Sequence, residues 1–252
     1  VSMFGRLGDD AFATTLRAGL RANGVDDTHV LNTPGSPSGV AWISVDDVGA
    51  NAITVIPGAN GCVTADDVAR WSDAIAECDV VLVQLEIPLP AVAAVVQLAR
   101  RHGRRVVLDV APVPTEPLPD ELWQVDVLSP NQTEAELLTE VTVDSVNAAK
   151  QAATVLLSRG PRCVVLKLGE LGALIAEPGG VAEYVPAYRV TPVDTTAAGD
   201  AFTAALAVAL AEGQSLADAA RFGCAAGACA TLRFGAQPAM PTREDVLRMM
   251  TQ

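Results

Sequence analysis

The segment Pro192–Gly213, PVDTTAAGDAFTAALAVALAEG, constrains this chain more than any other. Phe202–Leu210 is apolar nearly all round, and a helix of that kind has to be buried. Burial carries the unpaired backbone N–H groups of the first turn into the interior, where they need a cap or an anion. The residues at that end are Ala197, Ala198 and Gly199, whose side chains are too small to cap anything and let a ligand oxygen approach closely. Two carboxylates, Asp194 and Asp200, bracket the run. Asp200 stands at the mouth of the anion site, where an attacking hydroxyl would lose its proton. Taken alone, an aspartate there is more commonly a helix cap, and small residues a sign of tight packing.

A core that surrounds such a helix needs length, and 252 residues suffice for one large α/β domain. With hydrophobic residues at 50% and charged residues at 19%, the composition excludes a disordered chain. A formal net charge of -13 argues against nucleic acid or an anionic membrane as partner. It leaves room for an anionic nucleotide, because a helix terminus binds phosphate locally. The five cysteines are odd in number and form no CxxC pair, which points away from a disulfide framework or a zinc site and fits core packing in a reducing, cytoplasmic setting. No uncharged apolar run reaches membrane-spanning length and no signal peptide is expected.

Read in order, VSMFGRLGDD is expected to be the end of a strand and a turn, with Asp9 or Asp10 capping a helix to about Asn23 on the spacing of Phe12, Leu16 and Leu20. Val40–Val45 and Ala52–Ile56 read as a hairpin around a turn at Asp46–Gly49. Thr64 and Asp67 form a capping box for a helix to about Glu77. Strands are then expected at Asp79–Leu85, Arg105–Val110, Val125–Leu128 and Cys163–Leu168, alternating with helices from Pro88 to His102, Thr133 to Thr139 and Val146 to Arg159. Gly172–Ala176 and Ala182–Val185 read as antiparallel additions, and helices follow at Leu216–Leu232 and from Thr242. The alternation implies a doubly wound, mostly parallel sheet flanked by helices, with ligands beyond the carboxyl ends of its strands. His29 and His102 lack convergent partners and read as surface residues.

Chemistry-bearing residues fall at several strand ends. Glu86 closes the strand DVVLVQLE; Asn131 and Glu134 stand as Asn-x-x-Glu after Ser129-Pro130; Lys167-Leu168-Gly169-Glu170-Leu171-Gly172 follows RCVVL. Each has a plain alternative: a solvated acid before Pro88, an ordinary helix cap, a glycine turn. The small residues Ala225, Ala226, Gly227 and Ala228 admit a flat ligand or another helix equally well.

Together, DTTAAGD, QLEIPL, SPNQTE and RFGAQP resemble the motifs of the ribokinase family of sugar kinases, the PfkB carbohydrate kinases. The resemblance implies a ribokinase-like α/β fold over residues 1–252 with a partial β lid at about 33–57. It implies phosphoryl transfer from ATP to the primary hydroxyl of a sugar, D-ribose first, with fructose, a 2-keto-3-deoxy sugar acid or a nucleoside as alternatives. A non-catalytic nucleotide-binding module is the alternative of a different class. Asp200 would be the base, Ala197, Ala198 and Gly199 the anion hole, and Glu86 with Asp200 the sugar contacts. ATP would meet Asn131, the loop Lys167, Leu168, Gly169, Glu170, Leu171 and Gly172, together with Gly199 and Asp200, and Cys224 beside the base, where His or Asn is frequent in the family. Lys167 stands where the family often has Thr. Mg²⁺ would be held by Glu134 through its waters. A monovalent cation, K⁺, would lie among Asp194, Thr196, Ala230, Arg233, Gly235 and Ala239, the last in place of a frequent Ser. A cytoplasmic homodimer through the lid completes the expectation. The family's first strand, with its sugar-binding Asp, and its Gly-Gly-Lys-Gly-x-Asn segment do not occur here, so the chain as it stands is expected to bind ATP-Mg²⁺ but to phosphorylate ribose poorly or not at all.

Overall fold

The computed structural model describes residues 1–45 and 51–251. The turn expected at Asp46–Gly49 lies outside them. The chain opens on β1 (Ser2–Leu7), α1 (Ala11–Ala22) and β2 (Asp26–Asn32), with β1 and β2 paired in parallel. The opening segment thus supplies a strand of six residues before the expected turn. Asp10 caps α1 by accepting from Ala13 N–H at 2.9 Å. The hairpin follows as β3 (Val40–Val45) and β4 (Asn51–Ile56), antiparallel and a sheet of its own.

The capping box at Thr64 and Asp67 starts α2 (Ala65–Arg70), but the helix breaks at Trp71 and resumes as α3 (Ser72–Ala76). The main sheet is then built from β5 (Val80–Val83), α4 (Leu89–Arg101), β6 (Arg105–Leu108), β7 (Val127–Leu128), α5 (Gln132–Thr139), α6 (Val146–Leu157), β8 (Val164–Lys167), β9 (Gly172–Ala176) and β10 (Glu183–Pro186). The helices α7 (Ala198–Ala211), α8 (Leu216–Ala230) and α9 (Arg243–Met250) close the chain.

The six-stranded sheet runs β10-β9-β8-β7-β6-β5. β5 to β8 are parallel, and β9 and β10 are the antiparallel additions. Side-chain alternation divides its core into two layers. Val106, Leu108, Val164, Leu166 and Leu174 pack with α4, α5 and α6 on one face. Val107, Val165, Ala173 and Ile175 pack with α7, α8 and α9 on the other. Burial on both faces is why these strands read as continuous apolar runs rather than alternating ones. The strand order advances in one direction, so the parallel crossovers all occupy the first face. The second layer is supplied by the chain's return after β10.

α7 is buried along most of its length, as its all-round apolarity demands. It packs most closely on α8, where a Cβ on Gly223 would come within 3.1 Å of Phe202 and one on Gly227 within 3.2 Å of the Ala198 carbonyl. At these glycines, the small-residue run on α8 serves helix–helix contact. The two histidines are half-buried rather than surface residues. His29 stacks on Phe4 with ring centroids 4.8 Å apart, and His102 Nε2 lies 3.2 Å from Ser72 Oγ. All five cysteines are unpaired; Cys163, Cys224 and Cys229 are buried, and Cys62 and Cys78 half-buried.

Candidate active site

The carboxyl ends of the parallel strands and the N-terminus of α7 meet at a cleft of about 390 Å³. Asp109 and Ala111 line it from the end of β6, Asn131 to Glu134 from the start of α5, Lys167 and Gly169 from the end of β8, and Ala197, Gly199 and Asp200 from the start of α7. Strands placed side by side deliver these groups to one edge although they are far apart in sequence.

The α7 terminus is the electropositive wall. Ala197, the residue before the helix, is a non-glycine in the left-handed region at φ 59° and provides no side-chain cap. Such a backbone state costs on the order of 1 kcal/mol and is retained where the surroundings enforce it. Among the described residues, nothing accepts from the N–H groups of Ala197, Gly199 or Asp200. The Ala198 N–H, expected as a third donor of the anion hole, is instead directed at the Thr195 carbonyl at 3.2 Å. The free donors are thus Ala197, Gly199 and Asp200, the last being also the candidate base.

Asp200 and Glu86 both keep contact with solvent at the cleft mouth. The protein packed around Asp200 pushes its pKa above the ordinary aspartate value; Asp109 adds to the rise and Lys167 opposes it. Glu86 is raised by the same desolvation, then by Asp200 and Asp109. It sits in a bend beyond β5, which ends at Val83, two residues earlier than expected. A carboxylate raised toward neutrality is a better proton acceptor than an ordinary one.

Asn131 and Glu134 form a reciprocal capping box. Asn131 Oδ1 accepts from Glu134 N–H at 2.8 Å, Glu134 Oε2 accepts from Asn131 N–H at 2.7 Å, and Asn131 Nδ2 donates to Glu134 Oε1 at 2.7 Å. The plain helix-cap reading therefore holds, and the pair still lines the cleft. Burial raises Glu134, against the pull of the Asn131 N–H and Lys167. Each Glu134 oxygen accepts a single bond, which leaves lone pairs for the waters of a hydrated divalent ion, so the donor set fits Mg²⁺ held at one remove. Among the described residues, no cluster of three or more His, Cys, Asp or Glu forms a direct metal cage.

Beneath this wall lies a charged pair. Lys167 Nζ donates to Asp109 Oδ2 at 2.6 Å and to Thr203 Oγ1 at 3.3 Å. Thr203 Oγ1 lies 2.6 Å from Asp109 Oδ2 and 3.0 Å from the Gly199 carbonyl. All three side chains are buried. Asp109 and Thr203 were not singled out from the sequence. A charge inside the apolar run RVVLDV, and the single hydroxyl on an otherwise apolar helix, are the signals that could have found them, because a buried charge must be paired.

The remaining expected contacts distribute unevenly. Gly169 lines the cleft, whereas Leu168 is in the core and Glu170 is exposed. The Leu171 carbonyl accepts from Tyr184 OH at 2.5 Å. Gly172, at φ 104°, is packed so tightly on β10 that a Cβ would lie 2.1 Å from the Val185 carbonyl oxygen. Cys224 is inside the helical layer, its thiol pushed up to about 12 by burial, and is not among the residues lining the cleft.

Asp194 organises the loops beside the α7 terminus. Its Oδ1 accepts from Thr196 N–H at 2.9 Å and Thr196 Oγ1 at 2.7 Å, and its Oδ2 accepts from Gly235 N–H at 2.8 Å. These bonds, Gly235 first, hold its pKa below the ordinary value. The carbonyl oxygens of Thr196, Ala230, Arg233 and Gly235 accept from no donor among the described residues, so each keeps lone pairs for water or a cation. Ala239 is buried next to them in sequence, its N–H bonded to the Ala236 carbonyl.

A small-residue helix terminus with a raised carboxylate stands opposite a capped Asn–Glu pair at the ends of the parallel strands, an arrangement able to receive an anionic ligand. Residues 1–243 match the family model described as pfkB family carbohydrate kinase, and the chain belongs to that family. Among its relatives, it is 36% identical to ribokinase of Staphylococcus aureus, over 96% of this chain and 79% of that one. It is 36% identical to ribokinase of Haemophilus influenzae, over 99% of this chain and 81% of that one. The solved structure of Arabidopsis thaliana ribokinase complexed with ribose and ATP superposes with a TM-score of 0.89 at 32% identity, covering 100% of this chain and 82% of that one. The chain thus spans about four fifths of the length of these relatives.

Proposed function

We propose that this carbohydrate kinase transfers the γ-phosphoryl group of ATP to the primary hydroxyl of D-ribose, giving ribose 5-phosphate. The observation that carries the reading is the α7 terminus: three free N–H donors and the raised Asp200 carboxylate face one cleft. The names of the relatives above supply the sugar and the nucleotide.

In this reading, Asp200 accepts the proton of the sugar hydroxyl as its oxygen attacks. The N–H groups of Ala197, Gly199 and Asp200 meet charge on the transferring phosphoryl oxygens; little more than positioning and charge stabilisation is needed. Glu86 holds the sugar hydroxyls. Asn131 and the loop 167–172 flank the nucleotide, with Cys224 behind the base. Glu134 would hold Mg²⁺ through its waters, and the ion would supply charge neutralisation at the phosphates. K⁺ among Asp194, Thr196, Ala230, Arg233, Gly235 and Ala239 would stiffen the loops that aim the anion hole. The hairpin β3–β4, within residues 33–57, serves as a lid over the sugar and as the seat of a homodimer in the cytoplasm. No helix among the described residues is long and apolar enough to cross a membrane.

A coupled ADP-release assay with ATP-Mg²⁺ tests this against D-ribose, 2-deoxyribose, fructose and a nucleoside. Ribose-dependent ADP release exceeding that with every other acceptor is expected. A nucleoside or fructose as preferred acceptor would overturn the sugar assignment, and no release with any acceptor from a sample that also fails to bind MgATP in calorimetry would overturn the kinase reading.

A further inference from the structure

The cleft presents an electrostatic problem. Asp109, Glu134 and Asp200 line a space meant for a polyanion, with Glu86 close enough to feel Asp200 and Asp109, and among the described residues lining it the only cation is Lys167. Its ammonium is 2.6 Å from Asp109 Oδ2, and an ideal Cβ on Gly199 would lie 3.9 Å from it. The cation therefore lies directly under the free N–H groups of α7. Asp109 Oδ1 is buried with no hydrogen-bond partner among the described residues, so half of that carboxylate's charge is unanswered by the protein except through Lys167.

We propose that Lys167 is a positioning residue that acts as one unit with Asp109: the buried ammonium cancels the Asp109 charge beneath the anion hole and so allows a nucleotide triphosphate to dock there. The inference rests on the assignment of the α7 terminus as the phosphoryl site. Thr203 ties the unit to the helix it serves, since its hydroxyl contacts both Asp109 and the Gly199 carbonyl. The pair matters through its net charge of zero, and a neutral pair of hydrogen-bonding side chains would do the same work. A lone carboxylate would repel the phosphates, and a lone ammonium would attract them.

The sign of the effect separates this from a structural brace. Either single substitution breaks the same buried ion pair, so both lower the melting temperature. Lys167→Thr is expected to weaken MgATP binding by about 10-fold or more, because it leaves an unpaired negative charge beside the phosphates. Asp109→Asn is expected to tighten it, and Lys167→Thr/Asp109→Asn to return within about 3-fold of the parent. The test is isothermal calorimetry of MgATP on the four proteins, with KM for ATP followed in parallel. If Lys167→Thr does not fold, Asp109→Asn and the double variant carry the same prediction. Equal weakening in the two single variants would reduce the pair to a brace and overturn the inference, as would unchanged affinity in both. Asp200→Asn is the control for the underlying assignment: turnover at the parent rate in that variant would remove the phosphoryl site itself and this inference with it.

Discussion

The two ends of one heptapeptide carry the same side chain and opposite fates. Asp194 receives two backbone N–H bonds and a hydroxyl bond, and its pKa falls. Asp200 accepts no hydrogen bond among the described residues and, though exposed at the cleft mouth, is partly desolvated by the protein beside it and feels the Asp109 charge, so its pKa rises. Donors to the charged form stabilise it; burial and a like charge destabilise it. Asp194 is therefore an anchor, and Asp200, in the function proposed above, the proton acceptor, a division of labour that residue identity alone does not reveal. The cost of the strained end, which includes Ala197 in the left-handed region, is borne by the surrounding packing of α7 on α8.

Replacing the strained end has the largest expected effect. Asp200→Asn should retain MgATP binding and lower kcat by roughly 10²–10⁴-fold, the scale of a lost general base. Steady-state turnover beside calorimetry on the same sample decides it, and a loss of only a few-fold would dissolve the contrast. Breaking the anchor should do less. Asp194→Ala removes all three loop bonds but no reacting group, so kcat/KM should fall by about 10–10²-fold through misplacement of the anion hole. Activation by K⁺ over Na⁺ should vanish with it; K⁺ activation that survives Asp194→Ala would place the cation elsewhere. Thr196→Val trims one bond from the anchor and should lower kcat/KM by about 2–10-fold.

The smallest expected effect is on stability, with opposite sign at the two ends. The folded-state pKa of Asp200 is raised, so its favourable contribution is complete below the unfolded value and lost as pH rises through the folded one. At neutral pH the ionised Asp200 destabilises, and Asp200→Asn should raise the melting temperature by an amount that shrinks on acidification. Asp194 is lowered, so its stabilisation is present above the unfolded value and lost as pH falls through the folded one. Asp194→Asn should lower the melting temperature at neutral pH. Thermal melts of both variants across the acidic range read the two signs together.

Much of this was legible in the residues, because buried parallel strands and an all-apolar helix leave few alternatives. DTTAAGD and Asn-x-x-Glu meet at the cleft because parallel topology delivers strand ends to one edge, and Glu86 lies in the bend just beyond β5. What was not legible depended on partners distant in sequence. β2 carries no apolar strand signal, because it opens on the polar run Asp26, Asp27, Thr28 and His29. Arg17 and Arg21 neutralise Asp27, and Phe4 covers His29. The break at Trp71 splits one expected helix into two. Lys167 was assigned to the nucleotide loop by its place after RCVVL, but its side chain turns down to Asp109, a contact 58 residues apart in sequence. Glycine in the same loop had two uses that spacing cannot separate: Gly169 lines the cleft, and Gly172 gives β10 room to pass.

The contrast between the two aspartates can be read directly from a carbon-13 NMR titration of the side-chain carboxyl groups, with Asp194→Asn and Asp200→Asn identifying the two resonances. The account predicts that Asp200 titrates above the ordinary aspartate value and Asp194 below it. Coincident titrations, or the reverse order, would contradict it and would remove the electrostatic basis for Asp200 as the proton acceptor.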